Sequence, residues 1–411
     1  MRQKYGLEVR VAVDRDGEKT IKVWNKNRFR ICDIVMIITE KKEKEARYID
    51  CIEAESTWKP GKNRKPDTFI PVGYYEGERR YIDPGLFDPK KGVYQDKKHH
   101  ALVWPEDVME VSHWRRSLVY DFPEEELSVT LNFVARGPRI AFIGHSFTGL
   151  WDSAYYYFRE LAKMGGWNAQ VAYSYWGGTG IAQYAGLVPG SEQRAEQCDK
   201  VLDANSYYDF CSFAGNSDEA LPAGNGWYER RERMLAGAKI LYGKSLRKGA
   251  QMILWVPHAY RFGFLQGRGV KPWHLGQVGD SYEKDGRTYH LTLTQHGMTL
   301  ANLEWYKHIA REIGIRMVAP VAAVYEELTE KYIDQADPYI TPGLEGGDLG
   351  HQNNLGNYAA ACVYYAMIFG ESPEGLGIPE SHTFGMAGGP IREEQAALIQ
   401  RLAWNAVRQY R

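Results

Sequence analysis

Short stretches in which apolar and polar residues alternate occupy the first third of the chain. Runs such as LEVRVAV, KTIKVWN and LSVTLNFVA have a period of two, which is typical of half-buried strands. Turn-prone or charged segments such as DRDGE and KPGKNRKPD separate them, and no long helical periodicity intervenes. Residues 1–135 are therefore predicted to form a β-rich domain that resembles a β-sandwich. The segment EKKEKEAR is expected to form a solvated hairpin.

The pattern changes after Pro138. RIAFIGHS is a continuous apolar run that ends in a glycine turn, and a helical stretch follows from Ser153 to Met164. WNAQVAYSYWGG, YYDFCSFAGNS, AQMILWVPH and IRMVAPV repeat the buried-strand pattern, with helical stretches between several of them. The chain from 138 to 411 is therefore predicted to be an α/β domain with a parallel sheet flanked by helices. The segment ARGPR is expected to join the two domains.

Charge and length narrow the range of partners. The 411 residues suit two domains, and 51 basic residues against 52 acidic ones leave a net charge of −1. A chain without a basic field is not expected to bind nucleic acid or an anionic membrane. No segment approaches the roughly 18 uncharged apolar residues of a membrane span. These features predict a soluble cytoplasmic protein, with a secreted mature form as the alternative, and they are compatible with a homo-oligomer.

The cysteines do not form a recognisable framework. Their number is odd, they are scattered, and most lie among apolar residues, so buried thiols are predicted in preference to disulfides. No metal-ligand spacing appears, and no cofactor is expected. The five positions are Cys32, Cys51, Cys198, Cys211 and Cys362.

The first candidate for chemistry is the turn Gly144-His145-Ser146. A strand that ends here and continues into a helix places the Ser146 hydroxyl at the carboxyl edge of a parallel sheet, near a helix N-terminus that favours developing negative charge. This position suits a nucleophile. The alternative is an ordinary strand-to-helix turn in which Ser146 caps the helix.

The second candidate is the segment GGDLGHQNN, in which Asp348 and His351 directly precede a long apolar helix. A catalytic serine needs a histidine to take its proton and a carboxylate to fix the histidine tautomer, and one short loop can supply both. The alternative is a surface aspartate and a helix-capping histidine. A Gly-x-Ser strand about 200 residues upstream favours the catalytic interpretation.

Two further strand ends offer donors for an oxyanion. WGGTG provides the backbone N–H of Gly177 or Gly178, and FAGNSD provides the side-chain amide of Asn216. Each also has a plain interpretation, because glycine permits a positive φ and asparagine forms Asx turns.

These residues together resemble the SGNH, or GDSL-like, hydrolases. IGHSFT resembles the serine block, GGT the glycine block, AGNS the asparagine block and DLGH the terminal Asp-x-x-His block, in the family's order. The resemblance covers about 138–411 and implies a flavodoxin-like fold. It implies Ser146 as nucleophile, His351 as general base and then acid, and Asp348 as its orienting partner. It also implies an oxyanion hole made of the Ser146 N–H, the Gly177 N–H and the Asn216 side chain.

The chain departs from the family at three positions. His145 stands where the family has Asp or Asn, Ser217 where Asp is frequent, and Gln352 where Pro is common. An α/β-hydrolase is the alternative enzyme class, because GHSFTG resembles its nucleophile elbow. That elbow requires Gly-x-Ser-x-Gly, and Thr148 occupies the place of its second glycine. Asp348 and His351 on one loop favour the SGNH-like interpretation.

The sequence thus predicts a serine ester hydrolase, with O-acetylated carbohydrate as the preferred substrate. Lipid or small esters are alternative substrates, and a catalytically silent glycan-binding or assembly protein is an alternative of another class. Further residues are candidates for the substrate pocket, with a turn or core role as the alternative, which is favoured for the two histidines. They are His145, Trp176, Gly178, Trp255, His258 and Tyr260, of which Trp176, Trp255 and Tyr260 are suggested by strand-end position as a surface for a sugar.

Overall fold

The described residues divide into two compact units. One comprises Met1–Gly137 with Gly166–Asn168, and the other comprises Pro138–Gly165 with Ala169–Arg411. The computed structural model describes residues 5–13, 15, 18–41, 43–58, 72–75, 78–81, 87–88, 93–96, 101–103, 115–149, 153–221, 227–265, 277–284, 286–339, 350–381 and 389–410.

Antiparallel strands make up the first unit. Its principal sheets have the strand orders β1-β2-β5 and β11-β12-β3-β4, and smaller ones have the orders β10-β9-β8 and β6-β7. The strands are β1 (Leu7–Val13), β2 (Lys19–Asn25), β3 (Ile31–Glu40), β4 (Glu43–Ile52), β5 (Ser56–Trp58), β6 (Val72–Tyr75), β7 (Glu78–Tyr81), β8 (Phe87–Asp88), β9 (Val93–Asp96), β10 (Ala101–Val103), β11 (Arg115–Phe122) and β12 (Leu127–Val134).

The predicted alternation of apolar and polar residues produces the core of this unit, because the apolar residues share the buried face of each strand. Along β12, every second residue from Leu127 to Phe133 is buried, as expected for a strand with one face turned inward. The hydroxyl of Tyr120 in β11 donates to the carbonyl of Leu7 in β1, so the two principal sheets meet. Trp167, from the short segment Gly166–Asn168, packs edge-on against Tyr5.

The prediction of unpaired cysteines is wrong for two of the five. Cys32 in β3 and Cys51 in β4 lie directly opposite each other across the hairpin and form a disulfide. The other three, Cys198, Cys211 and Cys362, are buried thiols, as predicted. The chain separation of the pair is 19 residues, but the hairpin register brings their Cα atoms within 4.0 Å.

We expect the protein to expose three alkylatable thiols after unfolding without reductant, and five with reductant. The double variant Cys32→Ser/Cys51→Ser should lower the free energy of unfolding by about 2–4 kcal/mol, because the crosslink restricts the unfolded chain. Intact-mass counting of alkyl groups and urea denaturation measure the two quantities. Five alkylated thiols without reductant would contradict the pairing.

The second unit is built on a five-stranded parallel sheet of order β14-β13-β15-β16-β20. When the five strands of this sheet are numbered in chain order, their spatial order is 2-1-3-4-5, the flavodoxin-like arrangement. The remaining strands form an antiparallel sheet of order β17-β19-β18. The strands are β13 (Arg139–Gly144), β14 (Gln170–Tyr175), β15 (Phe210–Ala214), β16 (Gln251–Trp255), β17 (Phe264–Leu265), β18 (Ser281–Lys284), β19 (Arg287–Leu293) and β20 (Met317–Ala319).

Helices cover both faces of the parallel sheet, and this explains why β13 and β15 are buried along their whole length. The predicted fold class, a parallel sheet flanked by helices with additional β structure at the N-terminus, is confirmed. Within the described part of the chain, no helix combines the length and apolar character needed to cross a bilayer. The helices are α1 (Ser146–Gly149), α2 (Ala154–Met164), α3 (Ile181–Tyr184), α4 (Glu192–Asp203), α5 (Trp227–Arg247), α6 (Gln295–Ile313), α7 (Val321–Lys331), α8 (Asn354–Phe369) and α9 (Glu393–Gln409).

Alternate residues of the central strands point to the two helical layers. Ile143 of β13 and Phe213 of β15 belong to a core that also includes side chains of α4, α5 and α6. On the other face, the ring of Phe142 packs against Phe158 of α2 and Tyr364 of α8. The sheet is therefore held rigidly from both sides, and the loops at its carboxyl edge start from fixed positions.

Candidate active site

Three loops with candidate residues leave adjacent strands at the carboxyl edge of the sheet. Ser146 follows β13, Gly177 follows β14 and Asn216 follows β15. Since β13 lies between β14 and β15, the loop that contains Ser146 is flanked by the other two. This is the edge at which open parallel sheets bind their ligands.

The structure brings Ser146 and His351 together, although 205 residues separate them in sequence. The His351 Nε2 atom lies 2.9 Å from the Ser146 Oγ atom, within hydrogen-bond distance. Both residues are part-buried. This is the distance that a serine nucleophile and its general base require.

Gln352 fixes the histidine loop to the serine loop. Its Nε2 atom donates a hydrogen bond of 3.0 Å to the backbone carbonyl of Ser146, and the side chain is fully buried. On the other side of His351, the ring Nε2–H of His258 donates to the carbonyl of Gly350 at 2.9 Å. The backbone on both sides of His351 is therefore anchored to groups outside its own loop.

Asn353, at the N-terminus of α8, also anchors the chain next to His351. Asn353 caps the helix by accepting from the Gly356 N–H, as asparagine commonly does at this position. Its Nδ2 atom also donates to the carbonyls of Asp337 and Tyr339, at 2.8 and 3.0 Å. The Asn353 side chain thus caps α8 and also binds the backbone of residues 337 and 339. These contacts fix the backbone two residues after His351.

An aromatic cluster packs beneath the pair. The ring of Phe147 stacks on His258 with centroids 4.1 Å apart, and it meets the ring of His351 edge-on at 5.1 Å. His258 stacks in turn on Tyr325, also at 4.1 Å. These contacts orient the His351 ring without using its nitrogen atoms.

Three side chains expected in the substrate pocket lie in the interior instead. His145, Trp255 and His258 are 2%, 1% and 0% exposed, which corrects that expectation. Burial lowers the pKa of His145 to about 3, with a further contribution from the nearby His351, so His145 stays neutral. Its Nδ1 atom accepts from the Phe147 N–H, so it is a turn residue of the serine loop.

The candidate oxyanion donors occupy the two flanking loops. Gly178 has a φ of +65°, a conformation that favours glycine, whereas Gly177 has a negative φ, and a Cβ atom at either position would meet open space. The Asn216 Nδ2 atom donates to the Gly178 carbonyl at 3.2 Å, so the two loops are joined directly. Trp176 keeps 37% of its surface exposed, with the Arg194 guanidinium 5.5 Å from its ring centre.

A cavity of about 340 Å³ opens beside these donors. Most of its lining residues are glycines or have polar or charged side chains, and two of them, Ala182 and Val188, have apolar side chains. The other lining residues are Gly178, Gly180, Gln183, Asn216, Asp218, Glu219, Arg230 and Arg233.

Asp348, the predicted orienting carboxylate, lies outside the described residues. A potential metal cluster does occur in the described part of the chain, where ligand atoms of His296, Glu326 and Glu330 lie within 4.8 Å of one another. His296 Nδ1 is hydrogen-bonded to Glu326, however, and this contact between α6 and α7 accounts for the cluster.

Two residues that the geometry makes important, Gln352 and Glu219, are not evident as site residues from the sequence. Gln352 is distinguished there only as a departure from proline, and its buried amide contacts the serine loop. The sequence signal for Glu219 is the pair of consecutive acids that follows Asn216-Ser217, and the structure buries both Asp218 and Glu219.

Comparison with known proteins identifies neighbours only by structure. No family model and no curated protein matches the chain. Solved structures that resemble it include a DUF4886 family protein from Bacteroides uniformis, at 15% identity and a TM-score of 0.46, over 66% of this chain and 95% of that one. Another is a protein of Slackia heliotrinireducens provisionally assigned to the SGNH hydrolases, at 18% and 0.36, over 55% and 96%.

A third is an acetylxylan esterase from Geobacillus stearothermophilus, at 14% identity and a TM-score of 0.36, over 58% of this chain and 97% of that one. Identities below 20% and TM-scores below 0.5 do not transfer the activity of any of these proteins to this chain.

Proposed function

We propose that the protein is a serine ester hydrolase in which Ser146 is the nucleophile. The observation that supports this most directly is the 2.9 Å distance between the Ser146 Oγ and His351 Nε2 atoms at the carboxyl edge of a parallel sheet. A capping serine would not require a histidine at this distance, held in place by Gln352 and His258.

In the proposed mechanism, His351 takes the proton of Ser146 as Oγ attacks the ester carbonyl carbon. The tetrahedral oxyanion receives hydrogen bonds from the N–H groups of Ser146 and Gly177 and from the Asn216 amide. His351 then gives its proton to the leaving alcohol, and the acyl group remains on Ser146. Water, deprotonated by His351, releases the acid and restores the serine. Asp348 would orient the imidazole.

For the substrate, we propose a short acyl group on a polyhydroxylated alcohol, with O-acetylated carbohydrate as the preferred class. The cavity beside Gly178 and Asn216, at about 340 Å³, is of the size of a small-ligand pocket. A long acyl chain would gain little from a lining with two apolar side chains, whereas hydroxyl groups can pair with its amides, carboxyls and guanidinium groups. The exposed ring of Trp176 offers a surface on which a sugar can stack.

We expect the purified protein to release acetate from an O-acetylated oligosaccharide. Its kcat/KM for p-nitrophenyl acetate should exceed that for p-nitrophenyl octanoate by about tenfold or more, because the cavity beside Gly178 and Asn216 offers an octanoyl chain only two apolar side chains. Steady-state kinetics on the two esters, with chromatographic acetate detection for the oligosaccharide, measures both. A preference for octanoate would indicate a lipid-type esterase instead.

A catalytically silent glycan-binding protein is the alternative of another class. It would release acid from none of these substrates but would still bind the oligosaccharide, which titration calorimetry detects. The Ser146–His351 contact favours the enzyme, because a binding protein has no use for an activated hydroxyl.

A further inference from the structure

Glu219 is a buried acid between two of the loops at the active-site edge. Its carboxylate accepts the N–H of Ile181 at 2.8 Å and the N–H of Ala182 at 3.1 Å. These are the first N–H groups of α3, which have no partner within the helix. Glu219 itself lies in the loop after β15, 215–219, which we call the asparagine loop. Its side chain therefore reaches from this loop to the loop after β14, 177–180, which we call the glycine loop.

Two glycines make room for this carboxylate. A Cβ atom at Gly180 would lie 2.6 Å from the Glu219 carboxyl carbon, and one at Gly215 would lie 2.5 Å from its Oε2 atom. Neither glycine has a positive φ, so space and not backbone conformation explains them. The glycines in WGGTG and FAGNS at these positions are therefore part of the Glu219 site.

The same two loops contain the candidate oxyanion donors. Gly177 and Gly178 precede Gly180, and Asn216 precedes Glu219 by one turn, with the Glu219 N–H donating to the Asn216 carbonyl at 3.0 Å. The Asn216 amide reaches Gly178 across the gap. The two loops are thus joined at two places. The buried contact is made by the Glu219 carboxylate, and the exposed contact joins Asn216 to Gly178.

Burying the Glu219 carboxylate costs free energy, and this cost favours a functional role for the residue. Burial raises the pKa of Glu219 to about 7, and the two backbone hydrogen bonds only partly oppose this. Asp218 raises the pKa further and Arg230 lowers it. Strongly perturbed acids that line a cleft are enriched at functional sites.

We propose that Glu219 is a positioning residue that fixes the glycine loop, 177–180, against the asparagine loop, 215–219, and so sets the geometry of the oxyanion hole. This inference rests on the proposed function. Glu219 does not touch the substrate ester. It acts through the backbone of the glycine loop and through Asn216.

The test compares Glu219→Gln, Glu219→Asp and the matched control Glu326→Gln, each in the full chain. Glutamine retains the size but has one acceptor oxygen, and aspartate retains the charge but is one methylene shorter. We expect both Glu219 variants to lower kcat for p-nitrophenyl acetate by about 10- to 100-fold, with KM within about threefold, because misplaced oxyanion donors act on the transition state. Glu326 is a half-buried acid whose pKa is likewise raised by burial, and its variant should keep full activity.

Rates are expressed per reactive serine, counted with an organophosphate, so that misfolded protein does not contribute. A kcat within twofold of wild type in folded Glu219 variants would overturn the positioning role, as would a loss that only follows the number of reactive serines. If neither variant folds, Gly180→Ala decides, since its methyl group displaces the carboxylate, and an unchanged kcat there overturns the proposal. An inactive wild-type protein would instead overturn the proposed function, and this inference with it.

Discussion

Replacing Ser146 with alanine should lower kcat/KM for p-nitrophenyl acetate by about 10⁴-fold or more, because the attacking atom is lost. The protein should remain folded. Among the described residues, the Ser146 Oγ atom is hydrogen-bonded to His351 Nε2, and Gln352 donates to the Ser146 backbone carbonyl, which alanine retains. Ester kinetics and circular dichroism on the purified variant measure the two effects.

His351→Ala should cause a comparable loss, and the double variant should be little worse than either single one. Residues that act as one unit are not additive, whereas two independent contributions would multiply. Wild-type activity in folded Ser146→Ala would contradict the assignment of the nucleophile. Multiplying losses would show that His351 does not act through Ser146.

Replacing Asn216 with alanine should lower kcat by about 10²–10³-fold and change KM less. The reason is that its amide is expected to bind the oxyanion more strongly than the ground-state carbonyl. In the structure this amide donates to the Gly178 carbonyl, at the mouth of the cavity. Steady-state kinetics on p-nitrophenyl acetate separates the two parameters.

Asn205→Ala is the matched control, because the Asn205 amide donates to the Tyr208 hydroxyl. Its kcat should equal that of wild type. An Asn216→Ala variant with altered KM and unchanged kcat would place Asn216 in ground-state binding and remove it from the oxyanion hole.

Periodicity predicted the long strands of this protein well. LEVRVAV and KTIKVWN coincide with β1 and β2, since a strand with one buried face must alternate along its length. The short strands β17 and β18 were not predicted, because two to four residues are too few to establish a period.

The sequence also allowed the prediction that the candidate loops lie at one edge of the sheet, because parallel strands all end at the same edge. What strand-end position does not reveal is which face a side chain takes. Trp255 and His258 both follow or end β16, yet Trp255 packs on Tyr364 and His258 lies between Phe147 and Tyr325. Only the packing of helices from distant parts of the sequence decides this.

The disulfide could have been inferred from the hairpin alone. Glu40 and Glu43 are paired across the turn, and Cys32 precedes the first by eight residues while Cys51 follows the second by eight. Equal offsets place two residues opposite each other in an antiparallel pair. The contact between Gln352 and Ser146 could not be inferred in this way, because the two residues are 206 positions apart in sequence.

The central claim is that Ser146 forms a covalent acyl intermediate, and rapid acid quench with peptide mass spectrometry tests it most directly. Wild-type protein mixed with p-nitrophenyl acetate and quenched within the first turnover should contain one acetyl group in the peptide that includes Ser146. The same peptide from Ser146→Ala should contain none. Ester turnover without an acetylated Ser146, or with the acetyl group on another residue, would contradict the account.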